Sequence, residues 1–156
     1  MSIGRDVLES HVQRLQSRIG THGPEITRRI EAGALIKFAR ATGQTDPWFV
    51  DEVAALSSIY GGLIAAPTYV STFSGDTLSE LIDLDLPLGM FLHTEDAVEQ
   101  FEVIRPGMTV HARAVYHNAY LKEGRRGLML FQEALMDLTS EGRCLARLMV
   151  GAVSFD

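Results

Sequence analysis

Between residues 4 and 19, Val7, Leu8, Val12, Leu15 and Ile19 recur at spacings of one to four, with Arg14 and Arg18 stacked on the wet side. That rhythm predicts an amphipathic helix, stopped by Gly20 and followed by a loop, Thr21-His22-Gly23-Pro24. Glu25–Ile30 reads as a short strand. A second helix is expected over 31–42, with Leu35, Phe38, Ala39 and Thr42 on one face and Gly43 in the left-handed position beyond its end. Gln44-Thr45-Asp46-Pro47 is then a turn. Asp51 is a suitable cap for a short helix running to Tyr60, where Gly61-Gly62 ends it. Leu63-Ile64-Ala65-Ala66 runs straight into Pro67, which suits the first turn of a helix because its missing N–H costs nothing there. Ala66, Tyr69, Val70 and Phe73 continue at helical spacing with few charges, which predicts a buried central helix broken at Gly75-Asp76. Leu78, Leu81 and Ile82 would form a second piece, and 83–89 a loop.

The last third alternates instead. Val110, Ala112, Ala114 and Tyr116 form one period-two run. Leu128, Leu130, Met136 and Leu138 form another, interrupted by Gln132, and Cys144 to Ala152 a third. Turn residues at 106–107, 122–127 and 140–142 separate them. Phe101 and Val103 are expected to end a preceding strand, giving four strands paired in sequence. One sheet wrapped around one apolar helix is an α+β arrangement with a single core, the layout of the hot-dog fold. Residues 1–23 would be an N-terminal helix and loop, and 24–156 a single domain.

Composition narrows the class without supplying a function. The chain has 156 residues, 46% hydrophobic and 22% charged, which is globular. Twenty acidic against fourteen basic residues give a net charge of −6, which argues against a general nucleic-acid binder. No run approaches a membrane span and the N-terminus lacks the apolar stretch of a secretory signal, so a cytoplasmic protein with no membrane contact is expected. Cys144 is the only cysteine; it alternates with core positions and reads as a small buried hydrophobe. His111 and His117 share a mixed strand face without further ligands, so no metal site is expected. Ser71 and Ser74 lie in no nucleophile elbow, and Gly61-Gly62 makes no dinucleotide fingerprint. No cofactor is expected.

Four segments carry a family resemblance: Ile36 to Glu52, Tyr60-Gly61-Gly62-Leu63-Ile64-Ala65-Ala66-Pro67-Thr68, Arg105-Pro106-Gly107-Met108 and Gly124-Arg125-Arg126-Gly127-Leu128. In this order and spacing they resemble the MaoC-like hydratases and dehydratases, in particular the N-terminal-type, FAS1-like dehydratase domain found in non-catalytic subunits of heteromeric (3R)-hydroxyacyl-thioester dehydratases. The resemblance implies a hot-dog fold and an acyl-CoA or acyl-carrier-protein thioester as ligand. It also implies either a dyad-bearing partner subunit or a homodimer.

Hydration of an enoyl thioester needs a base for water and an acid for Cα. The catalytic branch supplies an Asp and a His within Gly-Asp-x-Asn-Pro-x-His. Here that span reads Gly43-Gln44-Thr45-Asp46-Pro47-Trp48-Phe49, so the dyad positions hold Gln44 and Phe49, neither of which exchanges a proton near neutral pH. Asp46, Asp51 and His93 are the available substitutes. Asp46 and Asp51 also read as turn and helix caps, with Glu52 nearby, and His93 beside Glu95 also reads as an edge-strand hydrogen bond. By resemblance the backbone at Ile64, Ala65 and Ala66 would polarise the thioester carbonyl, and the acyl chain would lie along Tyr69, Val70 and Phe73 and near Phe131. The same residues would be core in any protein of this fold. The expected function is a dyad-less subunit of an enoyl-thioester hydratase or 3-hydroxyacyl-thioester dehydratase. The alternatives are an autonomous enzyme, either a hydratase with relocated acid and base or an acyl-CoA thioesterase, and a non-enzymatic acyl-thioester binder.

Overall fold

The structure, a computed structural model, describes residues 3–125 and 127–156. Five antiparallel strands form one sheet: β1 (His22–Arg29), β2 (Met90–Gln100), β3 (Thr109–Gly124), β4 (Gly127–Ser140) and β5 (Arg143–Phe155). The spatial order is β1-β3-β4-β5-β2. Only β3, β4 and β5 pair in sequence. The expected run of four sequential strands is therefore corrected: β2 lies at the far edge against β5, and β1 takes the place beside β3. The reason lies in the connections. Gly124 pairs with Gly127, and Glu141-Gly142 turns with both φ positive, so β3–β4 and β4–β5 are tight hairpins. No such turn joins β2 to β3. The preceding strand also ends earlier than expected, at Gln100, leaving Phe101 half exposed beyond it.

The alternating runs of β3 and β4 bury one inner face. In β5 the run starts differently from expectation: a register shift at Leu138/Thr139 puts Leu145 in the core and leaves Cys144, expected as a buried hydrophobe, only half buried. Val110, Ala112, Ala114 and Tyr116 of β3 are fully buried, as are Leu130, Ala134, Met136 and Leu138 of β4. That face closes over a central helix, a 3₁₀ stretch Pro67–Phe73 continuing into α5 (Ser74–Leu78). The 3₁₀ geometry was not legible in the spacing. It goes with hydroxyl groups that donate back three residues, Thr72 Oγ1 to the Tyr69 carbonyl and Ser74 Oγ to the Ser71 carbonyl, both 2.8 Å. The expected break at Gly75-Asp76 does not occur. Both lie inside α5, because Thr77 and Leu78 bury against the sheet and that packing outweighs the modest helix penalty of glycine.

Helix α1 (Arg5–Gln16) buries Leu8, Val12 and Leu15, leaves Val7 about half exposed and ends before Ile19, which is itself about half exposed, so its apolar stripe is narrower and shorter than expected. The chain expected to loop at 21–24 is already strand from His22. Gly23 permits this, since a Cβ there would stand 2.5 Å from the Thr77 carbonyl oxygen of the central helix. Helix α2 (Ala32–Ala41) buries Leu35 and Ala39 and ends at Gly43, which has φ 75°. Two single-turn helices follow, α3 (Pro47–Val50) and α4 (Glu52–Ala55), the latter much shorter than the expected helix to Tyr60. Among the described residues no helix is long and apolar enough to cross a membrane.

Candidate functional site

The segment 60–66 delivers the chain to the central helix and is pinned from two sides. The Ile64 N–H donates to the Trp48 carbonyl (3.0 Å), and the Ala65 N–H to the Ile104 carbonyl (2.8 Å). Arg105 Nη2 donates to the Tyr60 carbonyl (2.8 Å). Two of the three amides expected to face a thioester are therefore already committed within the protein, and Pro67 has none to offer. Among these residues only the Ala66 amide remains available for that role. Arg105 belongs to one of the resemblance motifs, but nothing in the sequence marks the Tyr60 carbonyl, 45 residues away, as its acceptor.

Phe49 sits against this entrance. It is 9% exposed and packs in a small cluster with Ala39, Ile64 and Ala66, extended by Trp48 and Tyr60. The Trp48 ring lies 6.0 Å from Phe49 and 5.9 Å from Tyr60. Gln44 is half buried at the end of α2, its N–H donating to the Ala39 carbonyl (2.9 Å). Asp46 is exposed and makes no side-chain cap, contrary to expectation; its backbone carbonyl takes the Phe49 N–H instead. Asp51 does cap α4, accepting from the Val53 and Ala54 amides at 2.9 Å each, and both Asp51 and Glu52 are exposed.

Tyr69, Val70 and Phe73 are all buried in the core. Tyr69 meets Phe38 and Phe73 edge-on at 5.4 and 6.2 Å, and burial pushes its hydroxyl pKa up, with Arg28 opposing. Phe131 does not join them. It faces outward and stacks on Tyr120 at 5.1 Å, because β4 buries the even-numbered positions.

His93 is paired, but not with Glu95. A bulge between His93 and Glu95 shifts the register, so His93 Nε2 meets Asp96 Oδ1 at 2.8 Å and the two share the inner face of β2. The bulge has room because Gly151 lacks the Cβ that would stand 2.6 Å from Thr94 Oγ1. A bulge in β3 between Tyr116 and Asn118 likewise disturbs the expected common face of His111 and His117. His111 bonds Thr27 Oγ1 (2.9 Å). Among the described residues no group of three His, Cys, Asp or Glu gathers as a metal site.

One polar cluster inside the sheet escaped the sequence reading. Gln132 is 1% exposed. Its Oε1 accepts from Tyr116 Oη (3.0 Å) and the Asp83 N–H (2.9 Å), while its Nε2 donates to the Asp83 carbonyl (2.8 Å). The interruption at Gln132 was the only visible signal. Burial pushes the Tyr116 pKa up to about 12, against the pull of Arg18, whose guanidinium lies 5.2 Å from the ring centre. Burial would raise the Asp83 carboxyl, but the Arg14 hydrogen bond (2.8 Å) and the Asp85 N–H outweigh it and hold its pKa below the ordinary value.

Against this geometry, the family model for the FAS1-like dehydratase domain region matches residues 17–147. The chain belongs to the FAS1-like dehydratase family. Among curated protein sequences none is similar enough to match. Solved structures give the fold. A MaoC-like dehydratase from Rhodospirillum rubrum is 22% identical, with a TM-score of 0.63 over 88% of this chain and 92% of that one. The ChsH1-ChsH2 complex from Mycobacterium tuberculosis gives 15% identity and 0.73 over 97% and 93%. The HadBC (3R)-hydroxyacyl-ACP dehydratase complex from the same organism gives 18% and 0.71 over 88% and 97%. The five-stranded sheet and central helix of this FAS1-like dehydratase chain are thus the hot-dog fold of its MaoC-like neighbours.

Proposed function

We propose that this chain is the acyl-binding, dyad-less subunit of an enoyl-thioester hydratase or 3-hydroxyacyl-thioester dehydratase, and that a partner chain carries the acid and base. The observation that carries the reading is Phe49. At the position where the family resemblance calls for a proton-transferring histidine stands a phenyl ring, packed on Ile64 and Ala66 beside the helix entrance. Gln44, at the other dyad position, has an amide that neither gives nor takes a proton at neutral pH.

In hydration, water adds its oxygen to Cβ of the enoyl thioester while a base takes its proton, and an acid delivers a proton to Cα. This chain's contribution would be apolar walls and water exclusion. Two neighbours in the same fold are described as complexes of two named chains, ChsH1-ChsH2 and HadBC, which supports a partner here. So does β2, an edge strand exposed over most of its length, with Met90, Phe91 and Leu92 all more than 40% exposed. The autonomous-enzyme reading needed Asp51 or Glu52 at the helix entrance. Asp51 instead spends its carboxylate on the α4 amides, and both residues are exposed.

The test is co-expression with reading frames encoding MaoC-like chains that hold Asp and His, followed by crotonyl-CoA and longer enoyl-CoA hydration assays. The lone chain should be inactive and the complex active. Robust turnover by the lone chain, abolished by changing Asp46, Asp51 or His93, would refute the reading.

A further inference from the structure

A hollow of ≈ 360 Å³ lies on the β1 side of the molecule, between β1, α2 and the first turns of the central helix. Ala34, Lys37, Phe38 and Ala41 of α2 line it at spacings of three and four, so they share one helix face. Arg28 of β1, with Tyr69 and Thr72 of the central helix, forms the other side. None of these residues stands on β2 or β5, and β1 and β2 are opposite edges of the sheet. The hollow is therefore separate from the edge assigned to a partner chain.

Its wall holds an unpaired donor. Tyr69 is 8% exposed, and its hydroxyl has no hydrogen-bond partner among the described residues. The hydroxyls of Tyr116 and Tyr120 each have one. Among the described residues every fully buried side-chain nitrogen or oxygen is paired, so the Tyr69 oxygen is not sealed in, and the hollow is the opening that its side chain lines. Burial raises its pKa, so at neutral pH the hydroxyl keeps its proton and donates. A ligand that displaces water from it must return an acceptor.

The surrounding charges favour an anionic acceptor. At the Tyr69 hydroxyl the charge of Arg28 outweighs the opposing charge of Glu31. Arg28 donates to the Thr72 carbonyl at 3.0 Å and pairs with Asp76, which takes up part of its charge. Lys37 is the uncommitted cation: it is exposed on the rim and forms no ion pair among the described residues. The rest of the α2 face is apolar, and Ala34 and Ala41 are small enough to leave the space open.

We propose that this hollow binds a small organic oxyanion, a phosphate monoester or a carboxylate with a compact apolar body, through the Tyr69 hydroxyl and Lys37. The head group accepts from Tyr69 Oη and meets the Lys37 ammonium, and the apolar body lies on Phe38 between the two alanines. The site goes beyond the acyl-binding reading and does not depend on it.

The probes are phenyl phosphate and benzoate, with benzyl alcohol as an uncharged control of similar size. Binding is read by calorimetry on the purified full chain. At least one anion should bind about tenfold more tightly than the alcohol, and the tighter anion names the head group. Tyr69→Phe keeps the ring and removes only the oxygen; it should weaken that anion about tenfold or more, the scale of one hydrogen bond to a charged acceptor. Lys37→Gln should weaken it by about two- to fivefold and reduce the salt dependence of binding. Ala34→Leu fills the hollow from an exposed helical position and should abolish binding, which keeps a surface variant in the test if Tyr69→Phe fails to fold. Equal affinity for anion and alcohol in the wild type would overturn the proposal, as would full affinity in Tyr69→Phe or Ala34→Leu. So would no anion binding up to about 10 mM, a concentration at which even a weak site is visible. The subunit reading is decided separately, by hydration with the lone chain and by recovery of a partner complex, and neither result alters the comparison of probes.

Discussion

Gln132 shows how one residue can hold a loop to a sheet. Its amide satisfies both backbone groups of Asp83 and the Tyr116 hydroxyl within a buried face. Gln132→Leu should cost about 2–3 kcal/mol in urea unfolding, because these groups stay buried and lose their partner. Adding Tyr116→Phe should recover part of that loss, since one orphaned hydroxyl disappears. Asp83 should also show in the pH profile. Its folded pKa is depressed, so its stabilisation is present above the unfolded value near ~4 and drains away as pH falls through the folded value. Asp83→Asn should flatten the acid side of the stability curve below about pH 4, measured as denaturation midpoint against pH. The absence of titratable side chains at 44 and 49 is written in the sequence. That Phe49 packs at the helix entrance, and that Arg105 pins Tyr60, are not, because those contacts join segments brought together only by folding.

Single elements behaved according to how local their causes are. The Asp51 cap was legible because the carboxylate and the amides it binds lie within three residues. Asp51→Ala should therefore lower stability by about 1 kcal/mol, read by thermal melting. On the proposed function it should leave hydration by the assembled complex unchanged. Helix α2 and the inner faces of β3 and β4 were readable for the same reason, since period predicts face. The exceptions have non-local causes. The central helix runs through Gly75-Asp76 because the sheet holds Thr77 and Leu78, and Asp76 pairs with Arg28 of β1. The His93–Glu95 pair expected from strict alternation became His93–Asp96 because a bulge in β2 is matched by a glycine on a neighbouring strand.

At the level of the whole molecule, the outward face of the sheet carries a row of alternating charge. Glu25, Arg113, Asp137, Arg147 and Glu99 stand in register across β1-β3-β4-β5-β2. Asp137 and Arg147 form its tightest pair, at 2.6 and 2.9 Å. The row favours this register of all five strands, since a slip by one residue would turn these charges toward the core. The β2 edge is left for pairing. Met90→Lys with Leu92→Lys should weaken association with a partner at least about tenfold in light-scattering titrations. The melting temperature of the lone chain should move little, because both side chains are largely exposed.

The sequence by itself determined the α+β class, the inner faces of β3 and β4, the apolar central helix and the lack of titratable groups at positions 44 and 49. Each depends on residue type or on a period of two to four residues, which the chain carries locally. Tertiary structure alone decided that β2 closes the sheet beside β5 and that Asp96 and not Glu95 meets His93. Those outcomes depend on which distant strands pair and on the room left at positions such as Gly151, and both are settled only when segments far apart in sequence compete for the same volume.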